Sequence, residues 1–510
     1  MKKFAKYLMV IFILPIMVMC TGCFGGKDVV SIKSIDKTDS VGVVDTYTIT
    51  YTNGDTEQFT IINGEDGANL YNNITINDLY EQIKDTKPEG YTLIDFIDEY
   101  LDIEIDSSAI ASANALRSAV SIFVEHEVTI PDYNNPTGYS PYLGYTYGVK
   151  NSISWGAGAG VIYDLDKENG NAYIITNYHV CYSGNSIADD GIGSKFTTYI
   201  YGGESIDLND LYYLQYYNEN CKDYADLFEY DAEGLPIIDY GYGAIEAEYV
   251  GGSEQYDISV LKVTNSEILK NSDCLEVQVQ DSDTVTAGSS AIAIGNPDAC
   301  GISVTNGVIS VDSEYISVQI SSSAVVLREF RIDTPVNSGN SGGGLFDGFG
   351  RLIGIVNAKT TDTTIENMSY AIPSNIAVRV ADSIIDNCDG VNRSTKRVLL
   401  GVTIQTINSK GYYDQTTGLM RIKEDVAVAS FEQDSLAKQI GLDLGDVITN
   451  IKIVKDSETI EIKVDRLFKL IDAMLLVREG DCITFEYTRL EVAGSVTTPT
   501  LTADNFIDIK

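Results

Sequence analysis

From about residue 115 to residue 373 the chain is a succession of short apolar runs broken by Gly, Asn, Asp and Ser, without a long helical pattern. Val120, Ile122 and Val124 alternate, Gly156 to Tyr163 is glycine-rich and then apolar, and Ala172 to Thr176 is a strand candidate ending at Asn177-Tyr178-His179. Further runs lie at 258–263, 291–294, 302–309, 352–356 and 370–372. Apolar runs this short, bounded by turn residues, read as strands. Many of them in sequence predict an all-β barrel or sandwich. Residues 182–250, rich in Tyr, Asp and Glu and less regular, read as an insertion into that barrel.

The flanks differ in texture. Residues 24–40 are polar and read as a tether. Residues 43–62 read as a β-hairpin: Tyr47, Ile49 and Tyr51 alternate with Thr, Asn53-Gly54 turns, and Phe59 and Ile61 resume the alternation. Residues 75–86 and 92–101 predict two short helices separated by Lys87-Pro88-Glu89-Gly90. These pieces make a small α+β module, a spacer or adhesion unit with no evident chemistry. Past a helix at 376–388, Lys396 begins a second β-rich unit, with a short helix at Ser435–Gln439, a turn and strand at Gly441–Ile448 and a last strand at 483–489. The expected division is 1–22 signal, 23–40 tether, 41–110 N-terminal module, 111–388 first β domain and 389–510 second β domain.

The formal net charge is -39, and 44% of residues are hydrophobic, so the chain can build large cores despite its charge. A nucleic-acid partner is not expected, because phosphate neutralisation needs clustered Lys and Arg. An acidic surface also repels anionic lipid, so membrane attachment needs another device. Lys2, Lys3 and Lys6 precede an apolar run over 7–19, then Cys20-Thr21-Gly22-Cys23. That run is short for a membrane span and suits a signal peptide. Thr21-Gly22-Cys23 resembles the end of a bacterial lipoprotein signal, which implies cleavage before Cys23 and lipidation of its thiol. The rest of the chain then lies on the extracytoplasmic face of a bacterial cell membrane. Export permits disulfides, and Cys181–Cys221 is a candidate pair among scattered cysteines. The six cysteines beyond Cys23 form no C-x-x-C pair and the chain has no H-E-x-x-H, so neither a metal nor a cofactor is expected.

The chain has two histidines, His126 and His179. A histidine base near neutral pH must be one of them. His126, between Glu125 and Glu127, reads as an exposed, charge-paired strand residue. His179 ends a strand. Gly339-Asn340-Ser341-Gly342-Gly343 is a serine in a turn where glycines permit backbone angles other residues resist, leaving the hydroxyl uncovered. Such a turn can aim the amides of Gly339 and Ser341 at one spot, where an oxyanion would sit. Asp257, at the start of an apolar strand, can accept the imidazole N–H.

Gly158-Ala159-Gly160-Val161-Ile162 with Ile174 to Val180 resembles the histidine segment of the HtrA (Deg) serine proteases. Asp257-Ile258-Ser259-Val260-Leu261 is similar to their aspartate segment, and Asn337 to Gly343 to their nucleophile loop. Ala293 to Pro297, Val304 to Ser310 and Tyr370 to Pro373 resemble strands between and after these. The resemblance covers roughly 115–388. It implies a chymotrypsin/trypsin-like double β-barrel and a triad of His179, Asp257 and Ser341, with an oxyanion hole at Gly339 and Ser341. It also implies that Val356, Asn357 and Ala358 border the substrate, and it makes a homotrimer the expected assembly. No acidic residue stands at Pro335 or Val336, so small aliphatic side chains are the expected cleavage preference. Ser338 and Gly344 depart from prolines common in the family. The unit at 396–495 resembles a PDZ domain. Leu399-Leu400-Gly401-Val402 stands where such domains bind a peptide carboxylate, with Leu400, Gly401 and Val402 as the contacts. The helix near Ser435 is expected to form the other wall of the groove, and 405–424 an insertion. The implied protein is an extracytoplasmic serine endopeptidase acting on unfolded or exposed polypeptide through an acyl-enzyme, with C-terminal peptides as PDZ ligands. The rival reading is a catalytically inactive peptide-binding or adhesion protein on a protease scaffold.

The signal predicts that Cys23 is the mature N-terminus and carries acyl chains, because two or more chains are needed for stable anchoring. Intact-mass measurement of membrane-extracted protein checks this; a different N-terminus or an unlipidated mass counts against it.

Overall fold

The structure, a computed structural model, describes residues 32–41, 44–51, 54–62, 107–140, 142, 144–204, 229–232, 235–320, 324–359, 368–387, 394–455 and 458–509. The signal, Cys23 and the helices expected at 75–86 and 92–101 lie outside these residues. Among the described residues no helix is long and apolar enough to cross a membrane. The chain divides into two compact units, Met1–Ile105 and Asp106–Lys510.

In the first unit β1 (Ile32–Val41), β2 (Val44–Tyr51) and β3 (Thr56–Ile62) form an antiparallel sheet in that order. The expected hairpin is β2–β3, with Tyr47 opposite Phe59. The tether reading fails from Ile32 onward: that segment is a third strand, with Ile35 opposite Ile49. A third strand meets the need of an otherwise marginal hairpin for more pairing.

The second unit opens with α1 (Ser107–Leu116), so the expected boundary at 110/111 falls inside a helix. The first barrel is built from β4 (Ala119–Ser140), β5 (Gly144–Asp166), β6 (Asn171–Thr176), the one-turn α2 (Tyr178–Cys181) and β7 (Lys195–Ile200). The short pair β8 (Glu229–Tyr230) and β9 (Pro236–Ile237) and then β10 (Ile245–Ser253) and β11 (Ile258–Val263) follow. The barrel closes in the order β10-β11-β6-β5-β4-β7. Its closing strand β7 lies inside the stretch read as an insertion, which therefore shrinks to 201–244. The paired Thr197 and Thr198 between Phe196 and Tyr199 hid a strand whose residues 196–199 are all buried. After α3 (Glu267–Asn271) comes a second ring: β12 (Ser290–Gly295), β13 (Ser303–Gln319), β14 (Ala324–Ile332), β15 (Gly344–Phe346), β16 (Leu352–Lys359) and β17 (Ser369–Pro373). Its order is β12-β13-β14-β17-β16-β15, with β15 returning to β12.

Several strands are apolar on both faces because each face has its own core. Ile162, Ile174 and Leu261 fill the first barrel, while their neighbours Val161, Ile175 and Val260 join a second cluster. That cluster also takes Ile292, Ile294, Phe346 and Ile355 from the other ring and Ile376, Val380 and Ile384 from α4 (Ser374–Asn387). The two rings are thus joined by a continuous apolar seam.

The C-terminal part has β18 (Thr395–Val398), β19 (Val402–Asp414), β20 (Leu419–Phe431), α5 (Leu436–Gln439), β21 (Val447–Val454), β22 (Thr459–Lys463), α6 (Leu467–Ala473), β23 (Cys482–Arg489), β24 (Val492–Thr497) and β25 (Phe506–Ile509). The supposed insertion at 405–424 is the outer length of the β19–β20 hairpin, paired as far as Asp414 and Leu419. Helix α6 docks on the second ring through charge. Arg328 of β14 lies 2.6 Å from Asp472, with both side chains almost wholly buried. The guanidinium groups of Arg328 and Arg466 lie 4.1 and 4.9 Å from the centre of the Phe468 ring. Burial pushes the Asp472 carboxyl up, and Arg328 only partly offsets it.

Removing one partner of a buried pair strands the other charge. Asp472→Ala should therefore cost about 3–5 kcal/mol in denaturant unfolding, and adding Arg328→Met should recover most of it. A loss below about 1 kcal/mol for the single variant would mean the pair is already hydrated.

Candidate active site

The chain path brings the three singled-out polar residues to the seam. Thr176 ends β6, and Asn177 caps a single helical turn that buries Val180 and Cys181 and leaves the His179 ring partly exposed. Asp257 is fully buried just before β11, with φ 50°, a left-handed angle uncommon outside glycine. Asn177 Nδ2 donates to the Asp257 carbonyl at 2.8 Å. The Asp257 carboxylate then holds His179 twice: Oδ1 accepts from the backbone N–H at 2.9 Å and Oδ2 from Nδ1–H at 2.7 Å. A carboxylate only accepts, so the ring proton sits on Nδ1 and the Nε2 lone pair is left free. Burial pulls the His179 pKa down, but the charge and hydrogen bond of Asp257 outweigh it, and the net shift is upward.

Ser341 lies on the other side of the seam. Gly339 (φ 92°) and Gly342 (φ 83°) hold left-handed angles. A Cβ on Gly342 would collide with the Ala159 carbonyl and the Thr176 hydroxyl, so only glycine lets this turn touch the histidine strand. The Ser341 carbonyl accepts from Ala159 N at 2.9 Å, and the Ser338 and Gly339 carbonyls are taken by the amides of Asp298 and Asn296 at 2.7 and 3.2 Å. Among the described residues the amides of Gly339 and Ser341 meet no acceptor. The Ser341 hydroxyl donates to the Asn357 carbonyl at 2.8 Å, and no hydrogen bond joins it to His179. Catalytic hydrogen bonds often tighten only when substrate binds.

Of the residues expected to border a substrate, Val356 buries its side chain in the second ring, and its carbonyl accepts from Gly342 N at 2.9 Å. Asn357 is buried, and its side-chain amide donates to Glu329. Ala358 continues β16, and its side chain is not among those described. Sequence reasoning overlooked Glu329, although an acid in the run Val325-Val326-Leu327-Arg328-Glu329-Phe330 is a signal in itself. The exposed role expected for His126 is overturned. It is 4% exposed, burial lowers its pKa to about 4, and its neighbour Glu125 is taken by Tyr240 Oη at 2.6 Å. Strand β4 is covered because β7 and β5 flank it inside the barrel. Cys181 is a free, buried thiol, which leaves the candidate pair with Cys221 unformed; Cys221 itself lies outside the described residues.

Leu399–Val402 edges a cavity of about 360 Å³. Leu400, Gly401, Val402 and Ile404 line it with Leu470 and Met474. The facing wall is therefore α6, not the Ser435 helix. Helix α5 instead sits behind the loop, where Ala437 N and Ser435 Oγ both donate to the Leu400 carbonyl, at 3.0 and 3.1 Å. Gly401 has φ 64°. The amides of Leu400 and Gly401 meet no acceptor among the described residues. Arg397 also lines the cavity and donates to Tyr256 Oη at 3.1 Å, one residue from Asp257.

Residues 158–355, which include His179, Asp257 and Ser341, match the model of the trypsin-like peptidase domain. The chain is 30% identical over 241 residues to an HtrA-like serine protease of Staphylococcus aureus (strain MRSA252), covering 44% of this chain and 29% of that protein. It is 25% identical over 303 residues to the Do-like HtrA serine protease of Bacillus subtilis (strain 168), covering 58% and 54%. The chain thus spans under a third of the first relative and about half of the second. A solved HtrA-type protease AlgW with decapeptide aligns with a TM-score of 0.43 and 23% identity over 77% of this chain and 98% of that one. The matched part is a domain of the trypsin-like peptidase type.

With two histidines, the titration is resolvable by proton NMR. One imidazole should titrate above 6.5 and the other only near about 4. Asp257→Asn removes the charge that raises His179 and leaves burial, so the first midpoint should drop below 6.5. An unmoved midpoint would mean that Asp257 does not set the state of the ring.

Proposed function

We propose that this protein is an extracytoplasmic serine endopeptidase of the HtrA type, with a double-barrel protease domain, that cleaves unfolded or exposed polypeptide through an acyl-enzyme. The observation that carries the reading is the double hold of Asp257 on His179, across a seam from a glycine-flanked serine. Ser341 Oγ attacks the peptide carbonyl, while His179 Nε2 takes its proton and returns it to the leaving amine. Asp257 keeps the ring in the required tautomer and stabilises its charged form. The Gly339 and Ser341 amides receive the oxyanion, each such donor being worth about 2.7–4 kcal/mol in other serine proteases. Water then attacks the acyl-Ser341 ester, with His179 again as base.

The finer parts of the reading follow from the same pattern. Asn357 and Ala358 border the bound chain, and small aliphatic residues precede the cut. The C-terminal domain works as a PDZ-like module. A peptide C-terminus adds beside β19, its carboxylate meets the amides of Leu400, Gly401 and Val402, and its last side chain enters the cavity against Leu470 and Met474. Occupancy there is read at the cleft through Arg397 and Tyr256. Lipidated Cys23 holds the protein at the membrane, protein quality control is the role, and the assembly is a homotrimer. A second reading, an inactive peptide-binding protein, draws on the Ser341 hydroxyl bonding to Asn357 instead of His179.

Ser341→Ala decides between them. The variant should keep the fold and lose cleavage of an unfolded protein substrate by at least about 10³-fold. Undiminished turnover by the folded variant would sink the nucleophile assignment; no turnover by the native chain on any unfolded substrate would favour the second reading.

A further inference from the structure

Strand β14 carries two arginines and a glutamate within one turn of pleat, and their fates differ. Arg328 meets Asp472, and Arg331 lies 3.4 Å from Glu314. Glu329, between them, is fully buried and has no cation. Its Oε1 accepts from the Asn357 side-chain amide, and its Oε2 is buried without a partner. An uncompensated buried carboxylate is costly, and packing alone would favour an apolar residue there. What Glu329 does hold is Asn357, and the Asn357 carbonyl holds the Ser341 hydroxyl at 2.8 Å.

We propose that Glu329 is a positioning residue for the nucleophile. Its carboxyl fixes the Asn357 side chain, so that the Asn357 carbonyl stays under the Ser341 hydroxyl. The hydroxyl is kept in one resting direction, from which it turns to His179 when a substrate arrives. This inference rests on Ser341 being the nucleophile.

The protonation state of Glu329 supports the role. Burial, opposed by the Asn357 hydrogen bond and reinforced by the Asp257 charge, pushes its pKa up to about 8. At neutral pH it is a neutral acid whose carbonyl oxygen can accept from Asn357. The groups around it offer no relief once it ionises. Asp257 is already negative toward it, with His179 engaged on that carboxylate. Tyr370 faces it from β17, and Glu314 stands opposite it on β13. The two neighbouring arginines are taken. With a folded pKa raised from 4.5, the native state holds the extra proton between about 4.5 and 8, so the site loses stability as pH rises through that window. Above it, a second carboxylate with an unanswered oxygen lies beside Asp257, and β14 and Asn357 must adjust around it.

The test is the rate at which a fluorophosphonate probe modifies Ser341 in the full, detergent-extracted chain, from about pH 5.5 to 10. The serine oxygen displaces fluoride at phosphorus and its proton passes to His179, so no natural substrate is needed. Circular dichroism at each pH restricts the comparison to folded protein. The native rate should rise as His179 loses its proton and then fall about threefold or more with a midpoint near 8. Glu329→Gln keeps the shape and an acceptor for Asn357 but cannot ionise. It should stay within about threefold of the native rate at neutral pH and show no alkaline fall. Glu329→Ala should be slower by about tenfold or more at every pH, since small misplacements near the reacting atoms are expensive. If that variant misfolds, the glutamine comparison carries the test alone. Superimposable native and glutamine profiles overturn the inference and leave the nucleophile standing. Labelling that survives Ser341→Ala, or no labelling of folded native protein at any pH, takes down the nucleophile assignment instead.

Discussion

The apolar seam between the two six-stranded rings is the constraint on which the rest depends. Each ring has its own interior, and a protein of two such rings could bury those interiors separately. The residues one position over, Val161, Ile175 and Val260 on one side and Ile292, Phe346 and Ile355 on the other, leave no such freedom. Left exposed they would cost roughly 1.5–3 kcal/mol each. The rings therefore meet face to face, and the turns at the mouth of the seam are brought within hydrogen-bonding distance. Ser341 comes from one ring and His179 and Asp257 from the other, so their proximity is a consequence of core packing before it is one of polar contacts. The Ala159–Ser341 backbone hydrogen bond and the glycine at 342 then let the Ser341 turn pack directly against β5 and β6.

Charge is handled in two ways in this strongly acidic chain. Among the described residues only a few carboxylates are buried. Three of these hold a neighbour that shapes the site or its surroundings: Asp257 holds a ring and a backbone amide, Asp472 holds Arg328 and with it α6, and Glu329 holds Asn357. Their pKa directions are consistent with this. Asp472 and Glu329 are raised because burial outweighs what their partners return, whereas the imidazole beside Asp257 is raised because the carboxylate outweighs burial.

The sequence was legible where local chemistry and local backbone agree. The Gly339–Gly343 turn announces itself because left-handed angles leave few alternatives to glycine. The apolar strands around 174 and 260 do so because both faces are buried. Strand β7 was hidden because Thr and Tyr fill its buried positions, and their polarity reads as loop. His126 was misread because its flanking glutamates suggest solvent, yet the barrel covers Glu125 with Tyr240 and leaves the imidazole neutral inside. Helix α6 (Leu467–Ala473) was not read from the sequence at all, so the Ser435 helix stood as the groove wall in its place. These misses share one cause: they depend on which surface a strand or helix meets, a long-range fact that periodicity does not carry.

The docking of the C-terminal part follows from the same logic of shared surfaces. Helix α4 gives its buried face to the seam, and Leu475, just past α6, joins that cluster. The C-terminal part is therefore continuous with the core that positions Ser341 and His179, which is why residues 106–510 form one compact unit. Arg397 makes the connection local. It lines the cavity at the Leu399–Val402 loop and also bonds the tyrosine preceding Asp257. Asp257 is held at a left-handed angle by its surroundings, by the Asn177 bond to its carbonyl on one side and the Tyr256 anchor on the other. A strained residue persists only where its neighbours over-determine it. One of the neighbours that fix this aspartate thus belongs to the C-terminal part, so the ordering of the His179 ring and the packing of the cavity are not independent properties of this fold.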